Sequence, residues 1–358
     1  MLSRTKFGLL TGVAVASLLC CVLIKVNVNA ATEPGSSLTT SPISVDLNDK
    51  PGQTVSTTLQ VMNNSNSAES ISTRLYEFKA QGNNGQAAIY VPKSNDPSVN
   101  WVRFSRNSFT AEPGVWNEVT MTVSLPRTAS LGYYYAVLFT PNVNVYSHSN
   151  TVKGSNAILV LVNTNSSNEV KQLKIKSYSS QKSLYQFLPA NFNIDVQNTG
   201  NIHLAPEGDV YISRTVSGKS IATLQFNNGG GNVLPQSDRI FKVQWNDGLP
   251  AYENTVVNGH TIVNSSGQPK QHLVWSSTKS ISKIRFGKYY AHLVLVYNNG
   301  LEDVPVSGYV SFWVIPWEFL LICVFIVVAT IALFSTALWR MNKGVVKGLR
   351  KKSHKQDE

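Results

Sequence analysis

From Phe319 to Trp339 the chain runs for 21 residues without a charged side chain. At 1.5 Å per residue a helix of that length covers about 31 Å, the thickness of a bilayer's hydrocarbon core. Trp313 and Trp317 precede the run and Trp339 closes it, where interfacial aromatics sit. Seven cations follow: Arg340, Lys343, Lys347, Arg350, Lys351, Lys352 and Lys355. A helix buried in a soluble core would not need such a tail. The pattern predicts a transmembrane helix over 319–339, a basic cytoplasmic tail over 340–358, and an exterior location for the region before the helix.

The other end fits export. Arg4 and Lys6 lead into an apolar run from Phe7 to Ile24, and Val28-Asn29-Ala30 places small residues at the −3 and −1 positions of a cleavage after Ala30. Residues 1–30 therefore read as a secretory signal peptide. Cys20 and Cys21 follow Leu18-Leu19, whereas a lipoprotein signal needs a small residue directly before its cysteine. The net charge of +11 invites a nucleic-acid reading, but its location opposes one. The N-terminal segment carries +3 and the tail +5, which leaves +3 for residues 31–339. The excess basicity is mostly topology, plus attraction of the tail to anionic lipid, and no basic stripe on the exterior asks for nucleic acid. All three cysteines lie in the two apolar segments, which excludes a disulfide-dense scaffold and a cysteine-ligated zinc module.

Between these ends the dominant signal has period 2. Val55, Thr57, Leu59 and Val61 alternate with Ser56, Thr58 and Gln60. The same pattern returns at Val119, Met121, Val123 and Leu125, at Phe192, Ile194 and Val196, and at Phe241, Val243 and Trp245. Each is a strand with one buried face. Turn chemistry separates them: Lys50-Pro51-Gly52, Glu112-Pro113-Gly114, Asn198-Thr199-Gly200 and Asn298-Asn299-Gly300. Only 14% of residues are charged, and no long helical period interrupts, so the exterior is all-β. An ordered echo sets the domain count. An Asn turn (63–65, then 198–200), a strand entered through Pro113 and then Pro235, and Gly132-Tyr133-Tyr134-Tyr135-Ala136 followed by Gly287-Lys288-Tyr289-Tyr290-Ala291 keep one order. The expected architecture is two tandem immunoglobulin-like antiparallel β-sandwiches, over 38–165 and 169–314, followed by one transmembrane helix. The second carries an insertion near 246–282.

Sites for chemistry are scarce. The exterior histidines, His148, His203, His260, His272 and His292, are scattered without ligand spacing, so no metal and no cofactor is expected. Ser217-Gly218-Lys219-Ser220 imitates the end of a phosphate loop, but position 213 is Ser where the first Gly belongs. Ser276-Ser277-Thr278-Lys279 and Ser280-Ile281-Ser282-Lys283 match Ser-x-x-Lys without the companion motifs of penicillin-recognising enzymes. Glu207 with Asp209, and Glu302 with Asp303, are the acids an envelope glycan hydrolase would use, but neighbours on one strand do not face each other across a cleft. Asp46-Leu47-Asn48-Asp49 lacks the Gly and distal Glu of an EF-hand loop. Leu125-Pro126-Arg127-Thr128-Ala129 resembles a sortase motif but lies far upstream of the apolar helix. Aromatics remain as candidate ligand contacts: Trp101, Trp116 and the Tyr133–Tyr135 run, whose rings could stack on sugars. Alternation sends either Tyr134 or both its neighbours outward, exposed unless another element covers them.

The order of these motifs resembles the bacterial surface proteins that interact with WxL-type proteins. The likeness lies in Lys50-Pro51-Gly52-Gln53 leading to Val61-Met62-Asn63-Asn64-Ser65, and in Leu125-Pro126 followed by Gly132 and the Tyr133–Phe139 strand. The second domain adds Val196-Gln197-Asn198-Thr199-Gly200, Leu234-Pro235-Gln236-Ser237-Asp238-Arg239 and Gly287-Lys288-Tyr289-Tyr290. The resemblance implies a peptidoglycan-binding-type domain, a second immunoglobulin-like host-interaction domain and a C-terminal membrane anchor. No Trp-x-Leu occurs, so the chain is not itself a WxL protein. The expected function is non-enzymatic: a cell-membrane surface protein, single-pass, binding peptidoglycan or a partner surface protein. A hydrolase and a structural stalk without a ligand are the alternatives.

Overall fold

Each half of the β region folds as two packed sheets because its strands carry one apolar face apiece. The computed structural model describes residues 38–141, 155–257, 259–264, 267–275 and 283–353, with side chains described as far as Trp339. Residues 1–30, read above as a signal peptide, His148 and most of the two Ser-x-x-Lys motifs lie outside the described residues.

The first sandwich is built from β1 (Leu38–Ser41), β2 (Ser44–Asn48), β3 (Thr54–Asn63), β4 (Glu69–Gln81) and β5 (Gln86–Tyr90), then β6 (Val102–Phe104), β7 (Ser108–Ala111), β8 (Trp116–Ser124), β9 (Tyr133–Pro141) and β10 (Asn156–Asn163). One sheet has the order β1-β3-β8-β6; the other runs β2-β10-β9-β4-β5, with β7 also on β4. The predicted alternation on β3 and β8 is the alternation seen. Leu59, Val61, Val119, Met121 and Val123 are buried between the sheets. Their polar neighbours pair across the outer surface, Ser56 with Thr122 at 2.9 Å and Gln60 Nε2 donating to Glu118 at 3.1 Å.

The second sandwich comprises β11 (Leu173–Ser180), β12 (Leu184–Tyr185), β13 (Ala190–Asn198), β14 (Glu207–Ser213), β15 (Ala222–Phe226) and β16 (Asp238–Trp245). An insertion of short strands follows: β17 (Ala251–Asn254), β18 (Val256–Val257), β19 (His260–Thr261) and β20 (Gln271–Val274). It closes with β21 (Gly287–Asn298) and β22 (Asp303–Val314). Its sheets are β11-β13-β16 and β12-β22-β21-β14-β15. The core is aromatic. Phe192 meets Phe312 at 5.3 Å between ring centroids and Trp245 meets Tyr289 at 5.1 Å, both edge to face.

Among the described strands, pairing is antiparallel apart from one parallel pair in each sandwich, β2 on β10 and β12 on β22. In the first sandwich the chain enters on one sheet as β1 and changes to the other as β2. Pro42 sits at the crossing, where it can donate no ladder hydrogen bond. Helix α1 (Trp317–Ser353) follows β22 after Ile315 and Pro316 only; its Trp317–Trp339 portion is long and apolar enough to cross a membrane.

The neck of the insertion is closed by charge. Asp247 accepts from Lys283 Nζ at 2.6 Å and from Arg285 Nη2 at 2.8 Å, and Arg285 Nε donates to the Asp247 carbonyl at 2.8 Å. Burial pushes this carboxyl up, but the two cations outweigh it and hold it below its usual value. A depressed carboxylate contributes stability above its unfolded pKa. That contribution fades as pH falls, because the unfolded chain takes up the proton first. Below about pH 4 the wild type is therefore expected to lose thermal stability more steeply than Asp247→Asn. Parallel curves of Tm against pH would show that the clamp contributes nothing.

Candidate functional site

The site follows from two strands that are apolar on both faces. On β9, Tyr135, Val137 and Phe139 point into the first sandwich, while Tyr134, Ala136 and Leu138 point away from it. On β10, Ile158, Val160 and Val162 face inward and Leu159 and Leu161 outward. A sheet with two apolar faces must be covered twice. The second cover is the second sandwich, whose Leu234 joins Phe78, Ala136 and Leu161 in a small cluster of their own.

Polar contacts lock this junction. The backbone N–H of His203 donates to the Tyr134 hydroxyl at 2.9 Å, and His203 Nε2 lies 3.0 Å from Asp46 Oδ2. The Tyr134 ring stands edge-on to His203 at 5.6 Å and to Phe78 at 5.8 Å. Ile240 N–H donates to the Asn83 carbonyl at 2.6 Å, and Ser166 in the linker donates to the Ser130 carbonyl at 3.0 Å. Tyr134 thus meets the condition under which alternation does not expose it. Burial pushes its hydroxyl pKa up, as expected for a group that serves as a neutral acceptor.

Beside the lock a cleft of about 210 Å³ stays open. Phe78, Leu159, Leu161 and Leu234 supply apolar walls, and Gly229-Gly230-Gly231 forms one lip. Arg239 lies at that lip. Its guanidinium packs so closely on Gly85 and Gly231 that a Cβ at either would come within 2.9 Å. Nη1 donates to the Asn232 carbonyl at 2.8 Å, and the guanidinium lies 5.2 Å from the Phe241 ring centroid. Among the described residues it has no carboxylate partner: neighbouring Asp238 pairs with Lys176 instead. Burial lowers the Arg239 pKa from its ordinary value. Without a carboxylate of its own, the guanidinium is available to an acceptor brought by a ligand.

The other predicted contacts lie elsewhere. Asp96 caps the short 3-10 turn Pro97–Trp101 by accepting from Ser98 N–H at 2.8 Å. That turn sets Trp101 edge-on to Tyr133 at 4.8 Å, partly buried against the first core. Trp101 therefore belongs to the face of β9 opposite Tyr134. Trp116 opens β8 with 43% of its surface exposed and pairs in register with Met62. The structure does not gather these three rings into one site. Glu207, Glu302 and Asp303 are exposed; Asp209 accepts from Tyr211 at 3.3 Å and Asp303 from Asn298 at 2.9 Å. Among the described residues no group of three or more His, Cys, Asp or Glu could hold a metal.

The sequence reading missed Phe78 and the glycine run, and the roles of His203 and Arg239. Two signals pointed to them: three consecutive glycines at 229–231, and the apolar residues on both faces of β9 and β10.

No family model matches the chain, and no curated protein matches it. Among solved structures it is similar to the class 5 fimbriae chaperone CfaA, at 13% identity over 76% of this chain and 98% of that one, with a TM-score of 0.37. It is also similar to a chain of a chaperone–tip adhesin complex of CFA/I fimbriae biogenesis, at 17% identity over 57% and 87%, with a TM-score of 0.34. The E. coli chaperone DraB is similar at 10% identity over 76% and 97%, with a TM-score of 0.32. What the sheets themselves establish is the fold: two immunoglobulin-type β-sandwiches, joined in tandem and followed by one long apolar helix.

Proposed function

We propose that this chain is a non-enzymatic binding protein of a bacterial surface, anchored by α1 with its sandwiches outside and its basic tail in the cytoplasm. Its ligand is a partner surface protein or the peptide-bearing cell wall. The observation that carries the reading is the cleft between the sandwiches, lined by Phe78, Leu159, Leu161 and Leu234 beside polar Ser44, Gln86 and Asp238, with a guanidinium at its lip that pairs with no carboxylate among the described residues. Such a surface suits a ligand with an apolar segment ending in, or flanked by, an acidic group. The resemblance to WxL-interacting proteins supports the same reading, with the first sandwich toward the wall and the second toward a protein partner.

The test uses the full chain in detergent, sedimented with purified sacculi and, separately, captured on immobilised surface-protein extracts. Saturable binding that survives moderate salt is expected on one of the two. Arg239→Gln should weaken it about 10- to 100-fold, the range for losing a hydrogen bond to a charged group. Binding unchanged by Arg239→Gln would move the site away from the cleft. No saturable binding to either would leave the stalk. Release of soluble muropeptides, lost on Glu302→Gln, would make the protein a hydrolase.

A further inference from the structure

A second cavity, of about 350 Å³, lies where the second sandwich meets the helix. It is lined by Leu188 and Leu249, by Trp275 of the insertion, by Ile284 and Phe286 of the segment that returns from it, and by Phe319 of α1. Among the described residues its one charged lining residue is Arg285, which is engaged by Asp247 and lies over the buried Trp245 ring at 5.3 Å. The apolar residues around the mouth are far from covered: Trp275 is 63% exposed, and Ile284 and Phe286 are each 49% exposed. Apolar side chains left open in this concentration mark a surface that meets another apolar phase.

The position of the cavity identifies that phase. Phe319 belongs to the first turn of the apolar helix, and only Ile315 and Pro316 separate that helix from the last strand. The cavity therefore opens at the depth where the hydrocarbon of a bilayer would begin. Trp313 and Trp317 flank it, each 45% exposed, in the belt where indole rings prefer to sit. We infer that the cavity is a lipid seat: the membrane-facing end of the second sandwich rests in the outer interface, and an acyl chain of an adjacent lipid fills the space between the insertion and Phe319. The inference rests on reading α1 as membrane-spanning.

The test is tryptophan quenching in the full chain, reconstituted into phosphatidylglycerol vesicles with and without bromine on the acyl chains. Trp275→Phe isolates one ring, and because Trp275 is exposed the exchange leaves the core untouched. The emission that this substitution removes is expected to fall at least two-fold in brominated vesicles, more with bromine near the glycerol end than near the methyl end. If that component is unquenched while the remaining tryptophans are quenched, the helix is inserted but the cavity meets no lipid, and the inference fails. It fails equally if the component changes only with protein-to-lipid ratio, which would seat a second copy there. If no tryptophan is quenched, the spanning reading fails and takes the inference with it.

Discussion

Replacing Asn198 with alanine is expected to cost the second sandwich about 3–5 kcal/mol, because one buried amide serves three backbone groups in two loops. Its Nδ2 donates to the Ile202 carbonyl at 2.7 Å and the Val233 carbonyl at 2.8 Å, and its Oδ1 accepts from Gly200 N–H at 2.9 Å. Asn198 is fully buried, so truncation leaves these groups no ready water. Asn63 does the same in the first sandwich, donating to Ser67 and Ala111 carbonyls at 2.7 and 3.0 Å and accepting from Ser65 N–H at 2.9 Å. Asn298 is the internal control. It makes the same turn contact with Gly300 N–H at 2.8 Å, but it is exposed, and its substitution should cost less than about 0.5 kcal/mol. Denaturant unfolding followed by tryptophan emission, to which the buried Trp245 of the second sandwich contributes, compares the Asn198 and Asn298 variants. Equal losses at 198 and 298 would refute the account. The Asn198 variant should also loosen the junction, since the loop it holds carries His203 onto Tyr134.

Trp245→Ala should be comparably severe, about 3–5 kcal/mol, by emptying the centre of an aromatic core. The ring is wholly buried, edge-on to Tyr289 at 5.1 Å and to Phe312 at 6.0 Å. Among the described residues its indole Nε1 has no hydrogen-bond partner, so the native side chain carries an unmet donor there. Trp245→Phe keeps much of the aromatic packing and removes that donor. It is expected to cost under about 2 kcal/mol, well below the alanine value. Thermal or denaturant melts of the two variants decide the point; equal losses would mean that the ring edges, rather than the filled volume, hold the core.

Much of the fold was legible because one-sided burial writes itself into period 2. The residues at 55–61, 119–125, 192–196 and 241–245 lie on the faces the alternation assigned to them. The Gly-x-Tyr-Tyr-Ala echo was real in its letters but not in its facing. Ala291 points into its own sandwich, whereas Ala136, its counterpart by letter, points at the other domain. The inward tyrosine is accordingly Tyr135 in one strand and Tyr289 in the other, one position out of step. The shift has a physical origin: a sheet covered on both faces can place an apolar residue on either side, so similar letters do not fix orientation. The cleft was illegible for a different reason. Its walls come from residues 44, 78–87, 159–161 and 229–239, and only the docking of the two sandwiches brings them together.

The short passage from β22 into α1 has a mechanical consequence. If α1 spans a membrane as proposed and a ligand drew the first sandwich away from it, tension would enter the second sandwich through Leu173 and leave through Val314. At the exit, β12 lies parallel to β22, with Leu184 opposite Trp313 and Tyr185 opposite Val314, and β21 flanks the other side along all 12 residues of β22. Those hydrogen bonds run across the direction of pull and would be loaded together in shear rather than opened one by one. The end of β22 is therefore held on both edges, and a two-residue link passes the load to α1 with almost no slack.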